Sequence, residues 1–271
     1  MTGERREAGG LLPSADEGWF PVATGESGAS VFHDVKASRY AKVVPLAAAD
    51  ELAAERDRII WLGSVGLPAA SVVEWRLTDE GACLVTSAVA GVPADRLAAD
   101  ELRSAWPGIV GAVRALHDLA VSECPFSREL AEMMMLARDT VATGRVQPEF
   151  LPVDLQDVPP STILDRIESE LQQRSAQESR DRVVCHGDLC LPNVLVDPET
   201  MRVTGMIDLG RLGRADPYAD IALLLANARE TWRDESSARQ ADREFAESYG
   251  ISLDSERQRF YLLLDPLTWP G

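Results

Sequence analysis

Near residues 88–92 the hydrophobic period of the chain changes, and no other feature constrains its fold as strongly. From Trp19 to Val89 the pattern consists of short β-like runs bounded by glycine and polar residues: FPVATGESG, ASVFHDV, RYAKVVP, SVVEWRLTD and GACLVTSAV. One helical segment, AADELAAERDRIIWLGSVG, interrupts them, with Leu52, Ile59 and Leu62 on related faces and Gly63 and Gly66 at its end. After AGVPAD, Leu102–Leu119 carries Val110, Val113, Leu116 and Leu119 at helical spacing. Further helices are expected around 127–143, 160–177, 217–232, 238–249 and 254–264, with the apolar runs RVVC, NVLVD and VTGMID as short strands among them. The expectation is an α+β chain of two lobes. A mobile tail over 1–18 leads into a sheet-rich lobe over 19–90 and then a larger, mainly helical lobe over 91–271. At 271 residues the chain lies near the length where one core gives way to two.

Composition removes several classes. Charged residues at 26% and hydrophobic residues at 45% suit a folded globular protein and not a disordered one. No apolar run approaches the roughly 18 residues of a membrane span, and the N-terminus lacks the apolar stretch of a secretory signal, so a cytoplasmic protein without membrane contact is expected. Four cysteines at irregular spacing do not make a disulfide framework and agree with a reducing compartment. A formal charge of -17 repels nucleic acid and attracts cations, and it also serves solubility alone. No obligate protein partner is implied.

The densest chemistry lies in VVCHGDLCLPNVLVDP, residues 183–198. A structural zinc site needs about four ligands in recognisable pairs, and Cys185 and Cys190 have no second pair, with His33 and His117 distant in sequence. A thiol nucleophile beside a histidine is equally poor, because Cys185 and His186 are neighbours on a strand and point to opposite faces. The third reading takes His186, Gly187, Asp188 and Asn193 as H-G-D-x-x-x-x-N, followed by I-D-L-G at 207–210. Phosphoryl transfer from a magnesium nucleotide needs a carboxylate at the attacking hydroxyl and hard oxygen ligands for the ion. Asp188, Asn193 and Asp208 supply that set. A kinase also needs a strand lysine in the sheet-rich half paired to a glutamate on the next helix, and Lys42 in RYAKVVP and Glu55 in ELAAERDRIIWL stand in that order.

The segments GESG, YAKV, AAERDRIIWL, VCHGDLCLPN and IDLGRLGRADPYADIALLLAN together resemble the aminoglycoside phosphotransferases, small-molecule kinases of two-lobed, protein-kinase-like fold. The likeness runs from about Trp19 to Trp269. More narrowly, WFPVATGESG, the stretch from Ala105 to Phe126 and the ending FYLLLDPLTW are similar to the streptomycin 3''-phosphotransferases. The resemblance implies ATP and Mg²⁺ as cofactors and a cationic aminoglycoside, streptomycin, as substrate. It makes Asp188 the catalytic carboxylate, Asn193 and Asp208 the metal ligands, and Lys42, held by Glu55, the contact to the nucleotide phosphates. Gly25–Gly28, with Ser27 and Gly28, would form the loop over those phosphates. The Ser87 carbonyl and Val89 amide would meet the adenine where the lobes join.

It further implies that His186 fixes the catalytic loop, that Asp216 caps the helix that follows, and that Asp220 anchors the loop. Arg211 either approaches phosphate or braces the loop. A polycationic acceptor asks for carboxylates, and Glu230 and Asp265 are the candidates. Relatives that act at the 3' position tend to carry further acids where this chain has Thr231 and Pro266, which disfavours kanamycin-type acceptors. The same ATP apparatus would also serve a kinase of another small amine or alcohol, or survive in an inactive binding protein.

Overall fold

The computed structural model describes residues 11–12, 18–22, 29–34, 36 and 38–269. The chain forms two compact units, Met1–Gly91 with Thr204–Gly210, and Val92–Val203 with Arg211–Gly271.

The first unit is built on a five-stranded antiparallel sheet. Its strands are β1 (Trp19–Pro21), β2 (Ser30–Asp34), β3 (Arg39–Pro45), β4 (Val72–Leu77) and β5 (Gly81–Ser87), in the order β1-β2-β3-β5-β4. Period-two alternation sorts the faces. Phe32, Ala41, Val43, Cys83 and Val85 bury one face together with Trp19. Register places Phe20 opposite His33, His33 opposite Tyr40, and Lys42 opposite both Val31 and Leu84 on the other face. Helix α1 (Ala49–Ser64) follows β3 and buries Leu52, Glu55, Ile59 and Leu62, which share one face at helical spacing. A carboxylate on that stripe requires a partner inside the unit.

Two boundaries differ from those read in the sequence. Leu11 is buried against the Trp19 and Phe32 core, and the Leu12 carbonyl accepts from Arg76 at 3.2 Å, so the expected mobile tail is packed at this point. Two adjacent leucines lose too much by staying in water. Residues 204–210, expected in the helical lobe, belong instead to the first unit. Met206 bridges to Ala69, and a Cβ on Gly205 would lie 3.0 Å from both the Pro68 carbonyl oxygen and Val89.

The second unit is mainly helical: α2 (Ala99–His117), α3 (Leu130–Ala142), α4 (Pro160–Asp181), α5 (Tyr218–Ala228), α6 (Glu235–Tyr249) and α7 (Ser255–Leu264). Short strands β6 (Val92–Pro93), β7 (Val183–Cys185), β8 (Val194–Val196) and β10 (Gly213–Ala215) lie among them, and β9 (Val203–Met206) leads into the segment that joins the first unit. β7 pairs antiparallel with β10, and β6 with β8, so residues 186–193 form the loop between two anchored strands. Trp106 of α2 centres the core, edge-on to Trp232 at 5.4 Å, with its indole N–H donating to the Ala241 carbonyl at 3.1 Å. Asp254 caps α7 and Asp234 caps α6 through their side chains.

The helix expected over 217–232 stops at Ala228. The N–H groups of Arg229, Glu230 and Thr231 bond back three residues instead of four, which tightens and ends it. Glu230 therefore stands in a turn and not on a helix. Among the described residues no helix is long and apolar enough to cross a membrane.

Candidate active site

In the first unit the partner that Glu55 requires is Lys42. Nζ donates to Glu55 Oε2 at 2.8 Å and lies 3.6 Å from Asp208 Oδ1. Burial opposes the charge on Lys42, yet the two carboxylates raise its pKa above the ordinary lysine value, so it stays an ammonium. Asp208 has φ of 57°, a left-handed conformation that aspartate tolerates better than most residues, and its side chain is 55% exposed. Its carboxylate is thus open on the side away from Lys42.

Ser87 closes β5, its N–H donating to the Ser71 carbonyl and its Oγ accepting from the Ser71 N–H, both at 2.9 Å. Val89 follows against Gly205. Ser27 and Gly28 lie outside the described residues. Tyr40, missed in the sequence reading, shares a sheet face with Lys42 two residues away and is 38% exposed beside the His33 ring. Its position in YAKV was the available signal.

In the second unit Asp188 is half-buried and held by its own loop. Asn193 Nδ2 donates to the Asp188 carbonyl at 2.8 Å and to its Oδ2 at 3.1 Å, while the Asp188 N–H donates to His186 Nδ1 at 3.3 Å. With its amide N–H₂ turned to Asp188, Asn193 directs its oxygen elsewhere. Asn193 and Asp208 each offer an oxygen, the donor type that Mg²⁺ takes, so both residues fit that ion.

A buried carboxylate carries the loop. Asp220 is fully buried and accepts the His186 N–H at 2.7 Å, the Gly187 N–H at 2.8 Å and His117 Nε2 at 3.1 Å. Burial opposes its ionisation, but His117, His186 and the Gly187 N–H hold the carboxyl below the usual aspartate range. His117 Nδ1 meets the Tyr249 hydroxyl at 2.7 Å, which orients the ring with Nε2 toward Asp220. Gly187 has φ of 83°, and a Cβ there would come within 2.7 Å of the Arg211 carbonyl carbon, so only glycine fits. Leu191 N–H donates to Asn227 Oδ1 at 2.8 Å, which pins the far end of the loop. Asp216 Oδ1 accepts the Tyr218 N–H at the start of α5, and its Oδ2 accepts Arg257 Nε, both at 2.9 Å.

The metal and thiol alternatives end here. Burial pushes the Cys185 thiol well above its ordinary pKa, so it is inert, and Sγ donates to the Asp216 carbonyl at 3.3 Å. His117, Cys185 and Asp220 place ligand atoms within 4.8 Å of one another, but these atoms already have hydrogen-bond partners inside the protein. The cluster is a brace.

The two acceptor candidates differ in surroundings. Asp265 has a side chain 13% exposed, stands 3.6 Å from both Arg128 and Arg211, and accepts from the Trp269 indole at 3.2 Å. Its charge is met by the chain itself. Glu230 is exposed and makes no ion pair among the described residues. The Arg211 guanidinium donates to Thr268 Oγ1 at 3.1 Å and to the Thr268 carbonyl at 3.2 Å, and lies over the Trp269 ring. A groove of about 480 Å³ lined by Leu225, Arg229, Arg259, Arg166 and Asp154 lies elsewhere. It sits on the face of α5 turned away from Asp220, and its three arginines do not suit a polycation.

Comparison with known proteins gives this geometry a context. The model of the phosphotransferase enzyme family matches residues 21–261. The chain is 60% identical over 251 residues to a streptomycin 3''-kinase of Streptomyces griseus, covering 93% of this chain and 92% of that one. It is 42% identical over 268 residues to an aminoglycoside 3'-phosphotransferase of Streptomyces fradiae, covering 91% and 94%. The structure of aminoglycoside phosphotransferase APH(3'')-Id from Streptomyces rimosus in complex with ADP and streptomycin superposes with a TM-score of 0.90 at 53% identity, over 94% of each chain. The α+β fold expected from the change of period is the fold of these enzymes. Likeness of this degree over nearly the whole length makes it a member of the phosphotransferase enzyme family, among the aminoglycoside phosphotransferases.

Proposed function

We propose that the chain transfers the γ-phosphoryl group of ATP to the 3''-hydroxyl of streptomycin, in the cytoplasm, and so confers resistance to that antibiotic. The 60% identity to the Streptomyces griseus streptomycin 3''-kinase carries the choice of acceptor. The side chains described above support the reaction class.

The transition state of such a transfer is loose, so the protein contributes mainly alignment and charge neutralisation. Asn193 fixes Oδ2 of Asp188, which sets the direction of the remaining carboxylate oxygen toward the acceptor hydroxyl. Asp188 orients that hydroxyl and receives its proton as the new P–O bond forms and the bond from the γ-phosphorus to the bridging oxygen breaks, with ADP as leaving group. Lys42, held by Glu55, neutralises nucleotide phosphate oxygens. Asn193 and Asp208 would hold Mg²⁺, which supplies further positive charge to the phosphates when bound. Tyr40 presents an exposed ring on the Lys42 face for the purine, with the Ser87 carbonyl and Val89 amide as edge partners.

Streptomycin carries two guanidinium groups. Glu230 is the stronger candidate to meet one, because Asp265 already faces two arginines. The test is incubation with Mg-ATP and streptomycin, with kanamycin in parallel, and identification of the product by mass and NMR. A phosphate on streptomycin at 3'' is expected, and a phosphate on kanamycin alone would overturn the acceptor.

A further inference from the structure

We infer that Arg128 is a positioning residue for the catalytic loop. With Arg211 it clamps the C-terminal turn at Thr268, and the clamp acts through the Arg211 main chain on Gly187 to set the place of Asp188.

Arg128 is 6% exposed, and its Nη2 donates to Thr268 Oγ1 at 2.9 Å. The same oxygen accepts Arg211 Nη1 at 3.1 Å and donates to the Asp265 carbonyl at 2.8 Å, so one hydroxyl joins both guanidiniums to the turn at 265–268. The Asp265 carboxylate lies 3.6 Å from each guanidinium. Arg128 is nearly wholly buried, and its Nε–H meets no acceptor among the described residues. Such an arrangement is costly and is not what stability alone selects. The main chain shows what it holds. The Arg211 carbonyl rests on Gly187, one residue before Asp188, with no room for a side chain between them. Asp188 and Asp220 both lie in the field of Arg128, after Asp265 in strength, so the buried cation also offsets the carboxylates of the loop. From the other side, the Arg128 N–H donates to the Arg214 carbonyl at 3.0 Å on β10, the strand paired with β7 that leads into the loop.

The inference rests on the phosphoryl transfer proposed above, and Thr268→Val tests it by removing the shared oxygen at nearly constant volume, with Thr268→Ser restoring it. With streptomycin and Mg-ATP, Thr268→Val is expected to lower kcat by about 10- to 100-fold, the range for a slightly misplaced reacting group. KM for ATP should stay within about twofold, and Thr268→Ser within about twofold of the parent in kcat. If Thr268→Val does not fold, Arg128→Lys carries the same test, since lysine keeps the charge but lacks the planar fork that meets Thr268 Oγ1. Parental kcat in the variant that folds, or a loss shared equally by kcat and the fraction of folded enzyme, overturns the inference. Absence of streptomycin phosphorylation by the parent enzyme would instead overturn the reading on which it rests.

Discussion

Asp220→Ala is the substitution whose effect follows most directly from geometry. The carboxylate is fully buried and takes three donors: the His186 N–H at 2.7 Å, the Gly187 N–H at 2.8 Å and His117 Nε2 at 3.1 Å. Alanine leaves all three in a dry site. A buried donor without an acceptor costs about 1–3 kcal/mol, and breaking a buried charged network about 3–5 kcal/mol in all. The lower part of the sum applies, because the space left by the carboxylate can admit water. Taking about 3–5 kcal/mol, and about 2–4 °C per kcal/mol for a domain of this size, Tm should fall by roughly 6–20 °C. Two of the three donors are main-chain groups immediately before Asp188, so activity should fall beyond the loss of folded enzyme, by about 100-fold in kcat at a temperature where the variant is folded. Calorimetry and steady-state kinetics on the same preparation read both. A Tm within about 2 °C of the parent together with parental kcat would refute the claim that this carboxylate carries the loop.

Asp188→Ala should abolish phosphorylation while ADP binding, followed by calorimetry, persists; substantial remaining turnover would sink its assignment. Gly187→Ala forces a side chain onto φ of 83° and into the Arg211 carbonyl, and should destabilise by about 1–3 kcal/mol or more, seen as a lower urea midpoint. Burial opposes ionisation of Asp34, but the Ser38 N–H, the Arg39 guanidinium and the Ser38 hydroxyl draw its pKa down to about 2. A depressed pKa stabilises the fold fully above the unfolded value near 4 and fades as pH falls through about 2. Asp34→Asn should therefore flatten the acid limb of a stability profile between about pH 4 and 2, and an unchanged limb would count against the shift.

The sheet of the first unit was legible because its alternation is local: β3 reads inward at Ala41 and Val43 and outward at Tyr40 and Lys42. Lys42 and Glu55 were findable because a kinase needs a strand lysine followed by a glutamate on the next helix, and the two stand in that order. Long-range contacts were not legible. Residues 204–210 join the first unit through Met206 to Ala69 and Gly205 to Pro68, partners more than a hundred residues away. The end of α5 at Ala228 has no glycine or proline to announce it, only a change from four-residue to three-residue bonding. His117, Tyr249 and Asn227 gave little warning, because a histidine at a helix end or an asparagine within a helix has many ordinary uses. Their roles come from what folding places beside Asp220 and Leu191.

The acceptor side shows where reasoning from residue type reaches its limit. A polycation calls for carboxylates, and the chain has many more acids than bases, so acid content alone cannot single one out. What separates candidates is where their counter-charge comes from. Asp265 lies beside Arg128 and Arg211, and a substrate guanidinium would have to displace cations that are tethered, desolvated and bonded to Thr268. Tethered partners have already given up their freedom, so a diffusing competitor must make up that entropy before it gains anything. Glu230 asks for no such exchange: it stands in a turn three residues beyond Asn227, which is itself bonded to the catalytic loop. A cation held there would leave the contacts of Arg128 and Arg211 with Asp265 intact. Asp265 is thus met by the chain's own arginines, and the proposed contact to a substrate guanidinium falls to the open Glu230.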